Sequence, residues 1–195
     1  MTLSLKGMDL IFRTARSHSS WQAKPVSDEQ LRQLYDLMKW APTSMNCGPA
    51  RILFLRSPDA KERLKPALSP GNVDKTMAAP VTAIIGYDTQ FYEMLPKLFA
   101  RNARAIFAGD EKKAHAETTA FRNSSMQGAY FIIAARAIGL DCGPMSGFNN
   151  ATVDAEFFSG TVIKSNFLCN LGYGDPAKVM PRNPRLEFDE ACRLL

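Results

Sequence analysis

The chain has 195 residues, 46% of them hydrophobic and 22% charged, an ordinary composition for a chain long enough to bury its own core. Its net charge is +5, but lysines and arginines are scattered without a run of five, and no stacking-aromatic or zinc module accompanies them, which argues against nucleic-acid binding. His18 and His115 are too few and too separate for a zinc site, no apolar run reaches membrane-spanning length, residues 1–6 lack the apolar core of a signal peptide, and Cys47, Cys142, Cys169 and Cys192 show no paired spacing, so the reading is a cytoplasmic protein with reduced thiols and no metal.

Residues 5–16 alternate apolar and basic side chains at roughly helical spacing and end in the polar stretch Ser17-His18-Ser19-Ser20. Ser27-Asp28-Glu29-Gln30 is a capping-box start, with an acceptor at Ser27 and Gln30 three residues on. The helix it opens carries Leu31, Leu34, Tyr35, Leu37 and Met38 on its apolar side and stops before Pro42. Residues 51–55 read as a short strand, and Ser57-Pro58 opens a helix with proline at its first position. The run 81–86 is apolar without alternation, as in a buried strand.

Segment 91–109 has no clear period and reads as a mobile insertion. The longest helical stretch covers 111–139; its second half, 129–138, is apolar nearly all round, as in a helix enclosed by others. A short helix at 152–158, a strand at 165–173, a stretch of prolines and arginines at 176–185 and a last helix at 187–195 complete the chain. Helices first, then strands with long helical insertions, and no internal repeat: the pattern predicts an α+β fold in one domain, 1–195.

Three constellations could carry chemistry. Arg13, Arg16, Ser17 and Ser19 gather after the first helix, and Arg182 and Arg185 lie near the C-terminus. Guanidinium forks match phosphate oxygens and hydroxyls add donors, although each group alone reads equally as surface charge. No P-loop and no strand-associated G-x-G-x-x-G occurs, and Gly172-Tyr173-Gly174 reads as a turn. In the second, two prolines stiffen Pro42-Thr43-Ser44-Met45-Asn46-Cys47-Gly48-Pro49, which is either a presented polar loop or a turn after a helix. In the third, glycines let backbone amides approach a ligand in Gly143-Pro144-Met145-Ser146-Gly147-Phe148, or simply connect a strand to a helix.

Together these elements resemble the nitroreductase family over nearly the whole chain. Arg16-Ser17-His18-Ser19-Ser20-Trp21 resembles its basic-and-serine segment before an aromatic, and residues 42–49 resemble its P-S-S-x-N-x-Q-P loop. Asn72 with Lys75 ahead of Ala79-Pro80 resembles its flavin-contacting pair, Gly139-Leu140 through Phe148 its G-[LV]-x-x-x-P-[IM]-x-G-F segment, and Arg182 with Arg185 its late basic pair. Residues 25–31, 121–127 and 172–175 look like the malonic semialdehyde reductase subgroup of pyrimidine utilisation. Gly48, Ala50, Ser19 and Ser146 depart from the wider family's usual glutamine, tryptophan, basic and polar residues.

The resemblance implies a central, mostly antiparallel sheet flanked by helices, with a long buried helix at the interface of a homodimer. It implies FMN bound between subunits, with NADH or NADPH as electron donor and a small-molecule oxidant. One subunit would give Arg16, Ser17, Ser19, Asn72, Lys75, Pro144, Met145, Ser146, Gly147, Arg182 and Arg185; the other would give Pro42, Thr43, Ser44 and Asn46. The chemistry is the flavin's, so no side chain is assigned as acid, base or nucleophile, and His18 is expected to face solvent. Malonic semialdehyde reduction to 3-hydroxypropionate is the implied reaction. A broad nitro or quinone reductase and a flavin-binding module without turnover are the alternatives.

Overall fold

A computed structural model describes residues 2–99, 101 and 103–195; the readings of 1–6 and 91–109 extend onto positions 1, 100 and 102, outside the described residues. Four antiparallel strands form one sheet in the order β1-β2-β4-β3: β1 Ala50–Leu55, β2 Val81–Asp88, β3 Asp141–Met145 and β4 Ile163–Gly172. β1 and β3 are therefore opposite edges. The α+β reading holds.

The central strand β2 explains its own lack of alternation. Val81, Ala83 and Ile85 point into a core shared with Leu34, Met38, Phe131 and Ala135, while Ile84 points the other way, among Leu55, Leu64, Val153 and Leu168. A strand covered on both faces has no side to leave polar. Helices α2 (Asp28–Met38) and α7 (Lys113–Ala137) cover the first face; α3 (Pro58–Leu64) and α8 (Asn150–Phe157) cover the second. The capping box of α2 forms as expected, Ser27 accepting from the Gln30 amide and the Gln30 side chain accepting from the Ser27 amide.

Other expectations need correction. The first helix is shorter than 5–16: α1 spans Leu5–Met8 and passes into a π-helical turn, Asp9–Arg13. A further helix, α4 (Pro70–Ala78), starts on Pro70 and carries the 72–77 stretch that periodicity left unassigned. Segment 91–109 is no loose insertion among its described residues. With its short helices α5 (Leu95–Leu98) and α6 (Arg104–Phe107), the segment buries Phe91, Leu95, Ala103 and Phe107 against Tyr87, Ala116 and Ala120. Turns this short carry no readable 3.6-residue period, and tertiary contacts decide them.

In α7, Phe131, Ala134 and Ala135 are buried, but Phe121, Met126 and Tyr130 are 49%, 42% and 40% exposed. The helix therefore leaves an apolar face uncovered within one chain, and 129–138 is enclosed on one side only. The last helix shrinks to one turn, α9 (Phe188–Ala191), in an exposed tail where Leu186 and Phe188 contact no core cluster. No helix among the described residues is long and apolar enough to cross a membrane.

Candidate functional site

The polar stretch after the π-helical turn is laid along the free edge of β3. Ser17 bridges Cys142 in parallel, with the His18 amide donating to the Cys142 carbonyl at 2.9 Å; the Asp175 amide donates to Ser20 and the Gln22 amide to Tyr173. Two far-apart pieces of sequence meet here. Arg16 Nη2 donates to the Met180 carbonyl, and Arg182 Nη2 donates to the carbonyls of Arg13 and Ala15 at 2.9 Å each. Each guanidinium has five N–H groups, so both keep donors in hand. No carboxylate lies within ion-pair reach of Arg16, Arg182 or Arg185 among the described residues. Among the described residues, Arg185 bonds only its own neighbours, the carbonyls of Asn183 and Pro184. Ser17 and Ser19 are exposed beside this cluster. The arrangement suits an anion.

His18 does not face solvent. Its side chain is 9% exposed, with Nε2 at 3.4 Å from Asp141 Oδ1, while Asp141 Oδ2 accepts from the Gly174 amide at 2.8 Å. A Cβ on Gly174 would land on the His18 ring, so this glycine is a close-approach position rather than a simple turn. His18 and Asp141 tie the serine segment to β3 from below.

At the far end of β3, Pro144, Met145, Ser146 and Gly147 lead into a turn gripped by α4. The Gly147 carbonyl accepts twice, from Asn72 Nδ2 at 2.7 Å and from the Ser69 amide at 3.0 Å. A Cβ on Gly147 would stand 2.5 Å from Asn72 Nδ2, so only glycine allows this grip. The amides of Ser146 and Gly147 have no acceptor among the described residues. Lys75 is half-buried one turn further along α4, without a carboxylate partner among the described residues. Among the described residues, α4 thus carries a cation without a carboxylate partner on the helix that grips the Gly147 turn. One N–H of the Asn72 amide is used on the Gly147 carbonyl, which leaves its oxygen and second N–H without a partner among the described residues.

The 42–49 loop is built elsewhere. Met45 and Asn46 take positive φ of 52° and 50°, a strained choice for non-glycine residues. Hydrogen bonds hold them there. Asn123 Oδ1 on α7 accepts from the Ser44 amide at 2.8 Å, Thr43 Oγ1 accepts from the Gly48 amide at 3.2 Å, and Asn46 Nδ2 donates to the Leu98 carbonyl at 2.8 Å. Gln127, one turn along α7, accepts from the Ala50 amide at 2.9 Å, so an i,i+4 pair on one helix pins both ends of the loop. Pro42, Ser44 and Asn46 themselves are exposed. A groove of about 1200 Å³ runs beside β1 and includes Asn46 and Gly48 but none of the β3-side residues.

The loop precedes β1, and the Met145–Gly147 turn follows β3. Within one chain these edges stand three strand spacings apart, roughly 14 Å. One copy alone therefore does not unite the predicted site.

The profile of the nitroreductase family matches residues 12–173. The chain belongs to the nitroreductase family. A Cupriavidus pinatubonensis protein named as an NADH dehydrogenase/NAD(P)H nitroreductase is 62% identical over 189 residues, covering 96% of both chains. Ralstonia pickettii HadB, named likewise, is 61% identical over 186 residues, 94% of this chain and 95% of its own. A crystal structure from Exiguobacterium sibiricum, described as a nitroreductase in complex with FMN, superposes with a TM-score of 0.84 at 16% identity, covering 100% of this chain and 99% of its own. That likeness shows a shared nitroreductase fold; the FMN is that protein's.

Within this nitroreductase fold, Cys47 sits in the strained loop and is 1% exposed. Burial pushes its thiol up from 9.0 to about 11, opposed by the Thr43 hydroxyl and by backbone hydrogen bonds. Because the folded value is raised, the contribution to stability is complete below the ordinary thiol range and is lost as pH climbs from about 9 to about 11. Fully expressed, the loss is on the order of 3 kcal/mol, at roughly 1.4 kcal/mol per pH unit. Urea midpoints across that range should fall more steeply for the wild type than for Cys47→Ala; parallel curves would remove Cys47 from the cause.

Proposed function

We propose that the chain is an FMN-dependent NAD(P)H oxidoreductase working as a homodimer, with each FMN held between two subunits. The observation that carries this reading is the placement of two half-sites on opposite edges of one sheet. One half holds arginines, a lysine and backbone amides that lack partners of opposite kind among the described residues; the other is a stiffened polar loop. An isologous dimer brings unlike patches of two copies together, and the uncovered apolar face of α7 offers the contact. The names of the curated relatives and the FMN in the Exiguobacterium neighbour support it. The one-domain span and a cytoplasmic location belong to the same reading.

The residues fit the cofactor's chemistry. Arg16, Ser17, Ser19, Arg182 and Arg185 would hold the phosphate; Asn72 and Lys75 would hold the pyrimidine edge of the flavin; Pro144, Met145 and the Ser146 and Gly147 amides would line its central ring. Pro42, Thr43, Ser44 and Asn46 of the partner subunit would close the other side. When bound, FMN supplies hydride acceptance from NAD(P)H and hydride donation to the oxidant. Lys75 presents a fixed positive charge where negative charge accumulates on reduction, which stabilises the reduced state more than the oxidised one.

For the substrate, resemblance of 25–31, 121–127 and 172–175 to the subgroup favours malonic semialdehyde, reduced to 3-hydroxypropionate in pyrimidine degradation. The relatives' names favour the second reading, a broad nitro or quinone reductase. Anaerobic reduction of the FMN-loaded protein by NADH, then mixing with each oxidant, separates them. Fast reoxidation by malonic semialdehyde supports the first reading, reoxidation by a nitroaromatic alone supports the second, and no reduction by NADH or NADPH leaves only a binding module.

A further inference from the structure

The end of α4 is held by an unusual set of donors. The last carbonyls of a helix lack intrahelical partners. In α4 the Ala79 amide turns back to the Thr76 carbonyl, leaving the Lys75 carbonyl without a helical donor. Two side chains fill it instead. Trp21 Nε1 donates to the Lys75 carbonyl at 3.0 Å, and Asn170 Nδ2 donates to it at 3.2 Å. Trp21 closes the same 16–21 segment that carries Arg16 and Ser17.

Asn170 sits in the middle of an apolar strand and is wholly buried, as are Thr76 and Thr82. Thr82 Oγ1 on β2 donates to Asn170 Oδ1 at 2.7 Å, which fixes which way the amide points. Asn170 Nδ2 also reaches Thr76 Oγ1 at 3.3 Å, and Thr76 Oγ1 donates to Met145 Sδ at 3.6 Å. The chain of bonds runs from the central strand to Lys75 on one side and to Met145 on the other. Buried polar groups without partners are costly, so a network like this has one low-energy arrangement and enforces it. Lys61 completes the grip, its ammonium donating to the Met77 carbonyl at 3.1 Å and to the Ala79 carbonyl.

We propose that Trp21 and Asn170 are positioning residues that aim the Lys75 ammonium at the bound flavin, so that they set the flavin's reduction potential through Lys75. This rests on the proposed role of Lys75. Neither residue carries charge, so neither tunes the flavin as an ion; each acts by fixing the lysine's backbone, and with it the origin of a flexible four-carbon side chain.

The test is a mutant cycle read by potentiometry on FMN-loaded protein: Trp21→Phe, Asn170→Leu, Lys75→Met, and each of the first two combined with Lys75→Met. Trp21→Phe keeps an aromatic ring in place and serves should Asn170→Leu fail to fold. FMN affinity for the apoprotein, by fluorescence quenching, is measured alongside. Lys75→Met is expected to lower the potential. Trp21→Phe should lower it by a substantial part of that shift, and Asn170→Leu by at least as much, with FMN still bound stoichiometrically. In the Lys75→Met background both should have no further effect. A potential untouched by Trp21→Phe and by folded Asn170→Leu, or a shift of equal size with and without Lys75, overturns the positioning role. A potential unmoved by Lys75→Met overturns instead the reading of Lys75 on which it rests.

Discussion

Replacing Arg16 and Arg182 together by alanine is expected to strip the protein of FMN while leaving its riboflavin affinity almost unchanged. Each guanidinium retains donors beyond those spent on backbone carbonyls, and neither has a carboxylate partner among the described residues. A charge-assisted bond to a phosphate oxygen contributes roughly 1.5–3 kcal/mol. Each arginine therefore accounts for roughly a 10- to 150-fold loss in affinity, and the pair for more. The Arg182 bonds to Arg13 and Ala15 also tie the C-terminal stretch to the 13–16 turn, so Arg185→Ala, which breaks no such tie, is the milder control. Titration of apoprotein with FMN and with riboflavin decides the matter. Equal losses for both ligands would mean that the arginines support the fold and not a phosphate.

The second large effect is expected at Gly174, which touches no ligand in this reading. A Cβ there falls on the His18 ring, so Gly174→Val must push His18 away from Asp141 or push residues 173–175 away from Trp21. Overpacking of this kind costs typically 1–3 kcal/mol. The displaced segment also carries Arg16, Ser17 and Ser19, so FMN content should fall together with thermal stability. His18→Ala in the Gly174→Val background makes room for the new side chain and should recover part of the thermal stability, while FMN content stays low because the brace itself is gone. If Gly174→Val keeps full FMN content and wild-type stability, the serine segment is not braced by His18.

The secondary structure that sequence makes legible is the part with local causes. The Ser27 capping box, the proline start at Pro58, and the double-sided apolar run of β2 each follow from chemistry within a few residues. What escapes is settled at a distance. Helices α5 and α6 are single turns whose Leu95 and Phe107, with Phe91 just upstream, are buried against Tyr87 and against Ala116 and Ala120 of α7. His18 looks like a solvated histidine until Asp141 and Gly174 close on it. The site residues named from motifs divide into two groups that one chain holds apart, a partition implied by family resemblance and by nothing in spacing or composition. Their supports were missed altogether: Asn123 and Gln127 under the loop, Trp21 and Asn170 behind Lys75. Asn170 did leave a trace, a polar amide inside the apolar strand 165–173, where burial demands a partner.

The central claim, a site completed by two copies of the chain, is tested most directly by complementation. One variant carries Arg16→Ala and Arg182→Ala; the other carries Ser44→Trp, which puts a bulky ring on an exposed loop position proposed to face the partner's flavin. Each alone should be nearly devoid of FMN. Unfolded together in equal amounts and refolded with FMN, random pairing makes about half the dimers mixed, and each mixed dimer has one site with both halves intact and one with both spoiled. The account predicts that about one quarter of the sites take up FMN and are reduced by NADH. A mixture as empty as its two parents would contradict it, because the two half-sites would then belong to one chain.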